Sequence, residues 1–394
     1  RARYGSLQAV ADAWRRYSFE TWDDVLIPGR LEAYPDSIDY VDFNVENAVR
    51  LFKWRVDTIR SVDTRSALTA HGVGDATLHR RVFAADDAWQ YARLLDSYGY
   101  GGGGGMTNDG FDTRWRNILV ADTTRGGCEG KPFWAAERTS GPFWSFDQRF
   151  RRAPGEHDNW FTAEEKRIEA PVRRVAPVGD DIRANDMMAM SAGTKGLFSN
   201  RWRGLLDGPM FDAMGYYALD GSPTDRSQAA ALVAKWANAP AQAAVWKSDP
   251  VVGDIGIVNA PESQVYCHLL SGSTGYYINT VRGLYTALMD DAIQPDIVWI
   301  EHIDRYDLLY LPCPILLKDR TIERLIAWVE KGGKLVSDGA VAYFHETGRA
   351  GPKHFHSGLD RLFGVEEKST EFIPAWLSQN RPTFNLLGAK GLVA

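Results

Sequence analysis

From residue 66 to 203, strand-like runs alternate with helix-like runs, and this alternation constrains the fold more than any other feature. Ser66-Ala67-Leu68-Thr69-Ala70-His71-Gly72 reads as a strand running into a loop. A helix over 86–95 follows, with Trp89, Ala92 and Leu95 inward. Then come a strand at Tyr98-Gly99-Tyr100, a helix around 114–119, and the run Lys131-Pro132-Phe133-Trp134-Ala135-Ala136-Glu137. A polar, charged insertion (147–180) precedes a helix near 181–192 and a last strand ending near Trp202-Arg203. Strands alternating with helices fold as βα units on a parallel sheet. There are four such units, whereas a closed (β/α)8 barrel has eight. We therefore expect an α/β chain whose residues 1–250 form the second half of a (β/α)8 TIM barrel, strands 5–8, with the first half upstream of Arg1. The first residue is Arg rather than Met, which fits that expectation.

Ahead of these units lie a short helix (Leu7, Val10, Ala11, Trp14) and a long one. The long helix has apolar residues at Val45, Val49, Phe52, Val56 and Ile59, a one-faced stripe capped by Asp39 or Asp42. Beyond residue 250 the texture changes. Strand patterns at 254–258, 306–312 and 334–337 surround helices at 276–289 and 320–331. This gives a compact second α/β domain over 251–370, followed by a looser segment, 371–394.

Glu137 closes a buried strand, where a carboxylate does nothing for packing. In a barrel the loops after the strands build the active face, so Glu137 reads as a nucleophilic carboxylate, with a Glu in a solvated loop as the alternative that position alone leaves open. The net charge of −6 gives no reason to expect a nucleic-acid partner. No apolar run reaches the ~18 residues of a membrane span. The three cysteines, Cys128, Cys267 and Cys313, are too few for a disulfide framework or a Cys-rich zinc site, and no cofactor is implied. His354 and His356 lack a third ligand nearby and read as a solvated loop. Gly101 to Gly105 lack the Lys and Ser/Thr of a phosphate loop and read as a strand-to-helix connection.

The chain resembles glycoside hydrolase family 42, the β-galactosidase-like enzymes. The resemblance rests on Arg3-Tyr4-Gly5-Ser6-Leu7 with Ala13-Trp14, Trp22-Asp23-Asp24-Val25 with Pro28, Lys131-Pro132-Phe133 with Glu137, Gly196-Leu197 with Trp202-Arg203, and Gly221-Ser222-Pro223-Thr224. In the second domain it rests on Tyr310-Leu311-Pro312, Trp328 to Gly333, and Leu362-Phe363-Gly364-Val365. The resemblance implies retaining exo-hydrolysis of a terminal β-D-galactoside or related pyranoside, with Glu137 as nucleophile. The acid/base Glu of the family's Asn-Glu motif would lie upstream. It further implies a glutamine amidotransferase-like, class I trimerisation domain and a homotrimer. Cys313, flanked by prolines, does not sit on a catalytic elbow, so that domain reads as non-catalytic.

Trp144, Trp202, Arg203 and His71 are the candidate substrate contacts. For each a structural role stands beside the functional one: a packed loop aromatic, a rim ion pair, or a hydrogen-bonded histidine. Where the family places a galactose-holding Glu, this chain has Met210, with Asp207 and Asp212 near, which leaves the sugar open. The alternative from another class is a non-catalytic carbohydrate-binding or assembly protein on the same scaffold. A cytoplasmic location is favoured, and the chain by itself is expected to be inactive and prone to aggregate through open sheet edges.

Overall fold

The computed structural model describes residues 3–16, 18–73, 81–82, 84–102, 113–142, 177–207, 212–251, 253–351, 355–365 and 367. They form two compact units. One comprises residues 1–52, 77–87 and 252–394, the other 53–76 and 88–251.

In the second of these units, β1 (Thr69–Val73), β2 (Ser97–Gly102), β3 (Phe133–Thr139) and β4 (Leu197–Asn200) form one parallel sheet in the order β1-β2-β3-β4. The helices between them, α3 (Ala88–Arg93), α4 (Thr113–Cys128) and α5 (Gly179–Ser191), make the repeated strand–helix unit that the sequence pattern implies. The sheet has two unlike faces. Tyr98, Tyr100, Phe133 and Ala135 are buried, and so are Trp89, Leu119 and Ile182 from the helices. On β3 the neighbouring positions Trp134, Ala136 and Glu137 are only half-buried, and Phe198 on β4 is 56% exposed. Thus β3 buries one face and turns Trp134 and Glu137 to the other.

Lys131, at the start of the Lys-Pro-Phe run, explains itself in this unit. Its Nζ donates to the carbonyls of Ala92 (3.1 Å), Arg93 (2.9 Å) and Leu95 (2.9 Å). The last carbonyls of a helix have no partner within the helix, and a cation there also answers the helix dipole. Lys131→Met keeps the stem and loses these bonds. It is expected to cost about 2 kcal/mol in urea unfolding, the scale of hydrogen bonds to a charged group.

The other unit holds β5 (Ile255–Val258), β6 (Pro295–Val298), β7 (Leu308–Leu311) and β8 (Lys334–Ser337), all parallel, in the order β6-β5-β7-β8. Between them run α8 (Pro261–Ser271), α9 (Gly275–Asp290) and α10 (Asp319–Glu330). On α10, Ile322, Leu325 and Trp328 are buried, as the i, i+3 spacing requires. One cluster of this unit joins Val265, Tyr266 and Leu269 of α8 with Leu316, Ile38 and Val41. The last two lie on α2 (Pro35–Val62), the long helix.

The start of α2 differs from the expected Asp39 or Asp42 cap. The helix begins a turn earlier, with Pro35, whose fixed φ suits a first helical position. Asp39 instead gathers donors from the chain's opening segment. It accepts from Tyr4 Oη (2.6 Å) and Trp14 Nε1 (2.7 Å) and pairs with Arg3 (2.8 Å). Arg3-Tyr4-Gly5-Ser6 is thus an anchor for α1 (Leu7–Trp14), and Ser6 Oγ caps that helix by accepting from Ala9 N. The apolar stripe of α2 is buried at Val45, half-buried at Val49, Phe52 and Val56, and 43% exposed at Ile59.

Candidate active site

Glu137 lies near the carboxyl end of β3. Its Oε2 is 3.2 Å from His71 Nε2, and its Oε1 accepts from Asn200 Nδ2 at 3.0 Å. His71 comes from β1 and Asn200 ends β4, so three strands supply this one constellation. For His71 to reach Glu137 it must cross β2. The β2 residues in register with the two are Gly99, opposite His71, and Gly101, opposite Glu137. A Cβ on Gly99 would stand 2.4 Å from the Ala136 Cβ and 2.9 Å from the His71 Cβ. No side chain fits between the outer strands there, which is why the imidazole meets the carboxylate.

The Glu137 side chain keeps 36% of its surface exposed, so it is open to a ligand while each oxygen holds one donor. His71 Nε2 and Asn200 Nδ2 thus face one carboxylate oxygen each. The residue beside it points the other way: Arg138 is buried and ion-paired to the buried Asp186 of α5. Burial outweighs the guanidinium and raises the Asp186 carboxyl above the usual carboxylate range.

Asn200 also lines an open cavity of about 720 Å³ together with Arg201, Trp202, Arg203, Leu205 and Asp207. Trp202 is 69% exposed and stacks on Tyr217, with ring centroids 4.1 Å apart and planes at 24°. Arg203 is exposed on the same cavity. A returning segment builds the wall behind them. Arg201 N donates to Met214 O (2.8 Å), Tyr216 N to Arg201 O (3.1 Å), Tyr217 N to Trp202 O (3.0 Å) and Met214 N to Pro142 O (2.8 Å). Gly215 permits this threading, since a Cβ there would stand 2.2 Å from Gly204 N. Gly221-Ser222-Pro223-Thr224 fixes the segment's far end. Thr224 caps α6 (Asp225–Ala237) by accepting from Ser227 N at 3.2 Å, and its hydroxyl donates to Tyr216 O.

The structure therefore brings Glu137, His71, Trp202 and Arg203 to one end of one sheet. Trp144, Met210 and His354 lie outside the described residues. Asn200, Tyr217 and the 212–217 segment escaped the sequence reading. The one signal for the segment was its glycine, Gly215, just ahead of Tyr216 and Tyr217. Among the described residues no three His, Cys, Asp or Glu side chains are placed to hold a metal ion, and no helix is long and apolar enough to cross a membrane.

Comparison with known proteins meets this geometry from a separate direction. Residues 1–164 match the family model described as "Beta-galactosidase", and residues 254–385 match that of the "Beta-galactosidase trimerisation domain". The chain belongs to glycoside hydrolase family 42. No curated protein matches its sequence significantly. Among solved structures, a GH42 β-galactosidase from G. stearothermophilus, studied as a catalytic mutant, aligns at 19% identity with a TM-score of 0.78, over 95% of this chain and 53% of that one. The cold-adapted β-galactosidase of Rahnella sp. R3 aligns at 20% identity and TM-score 0.77, over 95% and 52%. The polyextremophilic β-galactosidase of the Antarctic haloarchaeon Halorubrum lacusprofundi aligns at 19% and 0.76, over 95% and 53%. The chain spans about half the length of each. The likeness establishes the fold: part of a (β/α)8 barrel followed by the family's α/β trimerisation domain.

Proposed function

We propose that this family 42 chain carries the nucleophile of a retaining exo-glycosidase acting on terminal β-D-galactosides or a related pyranoside. The observation that carries the reading is Glu137. It is a partly exposed carboxylate at the carboxyl end of a parallel strand, held oxygen by oxygen by His71 and Asn200, and Asn200 also lines the cavity that Trp202 enters. Catalytic groups sit at that end of barrel strands.

In the proposed reaction Glu137 attacks the anomeric carbon and forms a glycosyl-enzyme. A second carboxylate, the Glu of the upstream Asn-Glu motif, protonates the leaving oxygen and then activates water. In retaining enzymes the two carboxyl groups stand roughly 5 Å apart. His71 and Asn200 act as positioning residues. They aim the carboxylate before attack and receive its charge again when water releases the sugar. Trp202, braced by Tyr217, offers a flat face to the apolar side of a sugar ring. Removing such a stack in Trp202→Ala is expected to raise KM about tenfold, the upper end of what one aromatic pair contributes, with kcat less affected. A homotrimer formed through residues 252–370 accompanies this reading, and light scattering of the full-length protein measures it directly.

The test is the stereochemistry of the first product. Proton NMR of the full-length protein acting on a β-galactoside should show the β-anomer of the sugar before mutarotation. An α-anomer appearing first contradicts retention. An absence of turnover with galacto, gluco and arabino substrates alike favours a sugar-binding or assembly role on this scaffold.

A further inference from the structure

The unit that holds the trimerisation domain contains a thiol pair for which neither assembly nor glycoside chemistry has a use. Cys267 lies on α8 and Cys313 in the turn after β7, 46 positions apart in sequence, yet their sulfurs are 3.6 Å apart. Both are free thiols, each 4% exposed. Cys313 is held in place from a third element. Its backbone takes a left-handed φ of 43°, and its N–H donates to Oδ1 of Asp338, just after β8, at 2.5 Å. Left-handed backbone is uncommon for a side chain other than Gly or Asn, so the turn is held by its surroundings. The site also sits where the sheet's strand order reverses, between β5 and β7, at the strands' carboxyl ends. That is where open α/β sheets gather reactive groups.

The two sulfurs are unlike. The contact between them lowers the Cys267 thiol and raises that of Cys313, and burial opposes the first shift and adds to the second. These directions favour Cys267 as the thiol that ionises and Cys313 as its resolving partner. Cys128, by contrast, is pushed up to about 12 by burial.

We infer that Cys267 and Cys313 are a modification site, closing to a reversible disulfide under a small hydroperoxide oxidant and stapling α8 to the β7 turn. The Cys267 thiolate attacks one peroxide oxygen. An S–O bond forms, the O–O bond breaks, and the departing hydroxide takes up a proton to leave as water. The Cys313 sulfur then attacks the sulfenic sulfur of Cys267. The S–S bond forms, the S–O bond breaks, and a second water departs with the Cys313 proton. The pair is oxidised by two electrons, which the peroxide takes up. A disulfide of ~2 Å asks the two sulfurs to close by about 1.5 Å.

The experiment treats the native full-length protein with hydrogen peroxide, unfolds it in iodoacetamide, and maps peptides by mass spectrometry. The expected result is a Cys267–Cys313 cross-linked peptide, 2 Da lighter than the sum of its parts and lost on phosphine reduction. Cys128 is alkylated, and the oxidised protein melts several degrees above the reduced one. Full alkylation of both thiols after oxidation, or sulfinic acid on Cys267 without cross-link, overturns the inference. A Cys313→Ser variant should hold Cys267 as a sulfenic acid that dimedone captures when the oxidised protein is unfolded in its presence. Failure of that capture in a variant that folds overturns the proposed order of attack.

Discussion

Replacing Glu137 by Ala in the full-length protein is expected to lower kcat by on the order of 10⁴ or more, the scale on which loss of a covalent nucleophile acts. The fold should survive, because the side chain is partly exposed and its partners His71 and Asn200 also face open space. Two features separate this from general damage. Melting temperature stays within a few degrees of the parent. Added azide, a small external nucleophile, should enter the space that the carboxylate leaves and restore turnover. The azide product should be the α-glycosyl azide, with inversion at the anomeric carbon, since attack comes from the face Glu137 used. A variant that loses activity without azide rescue, yet melts normally, assigns the nucleophile elsewhere.

The second large effect concerns stability and comes from the next residue along. Arg138 and Asp186 are both buried, and removing one member of a buried pair leaves the other uncompensated, at a cost of about 3–5 kcal/mol. The two removals are not equivalent. Asp186→Ala strands a guanidinium that cannot give up its proton, so the loss persists at every pH. Arg138→Met strands a carboxyl that burial already raises, and without the cation its folded-state value rises further. A carboxyl raised in the folded state binds more protons there than in the unfolded chain. The Arg138→Met protein is therefore most stable below the unfolded carboxylate value and loses that stability as pH rises through the raised one. Urea midpoints of the two variants, taken from pH 4 to 8, should diverge at the acid end. Parallel curves would mean that the pair is not the buried contact the structure shows.

Strand–helix alternation made the parallel sheets legible, because each buried strand carries a short apolar run and each helix a stripe. What escaped the reading has identifiable causes. An Asp at the start of an apolar-periodic run looks like a cap, yet Asp39 faces Tyr4, Trp14 and Arg3, and nothing local in its sequence announces those partners. Helix α8 gave no clean stripe because Ser263 and Gln264 are themselves fully buried, the serine hydroxyl donating to Leu316 O at 2.5 Å. Strand β6 begins with Pro295 and buries Asp296, which Arg305 and Tyr306 satisfy, and both features argue locally against a strand. At the candidate site, Glu137 was legible from its place after an apolar run. Asn200 was not, because an asparagine becomes a carboxylate holder only when the fold brings it to Glu137, 63 positions away.

The most direct measurement is covalent labelling of the full-length protein with a 2-deoxy-2-fluoro galactosyl inactivator, followed by peptide mapping. The account predicts time-dependent inactivation and one sugar bound through an ester to Glu137. A label on any other residue, or inactivation without a label, would contradict it.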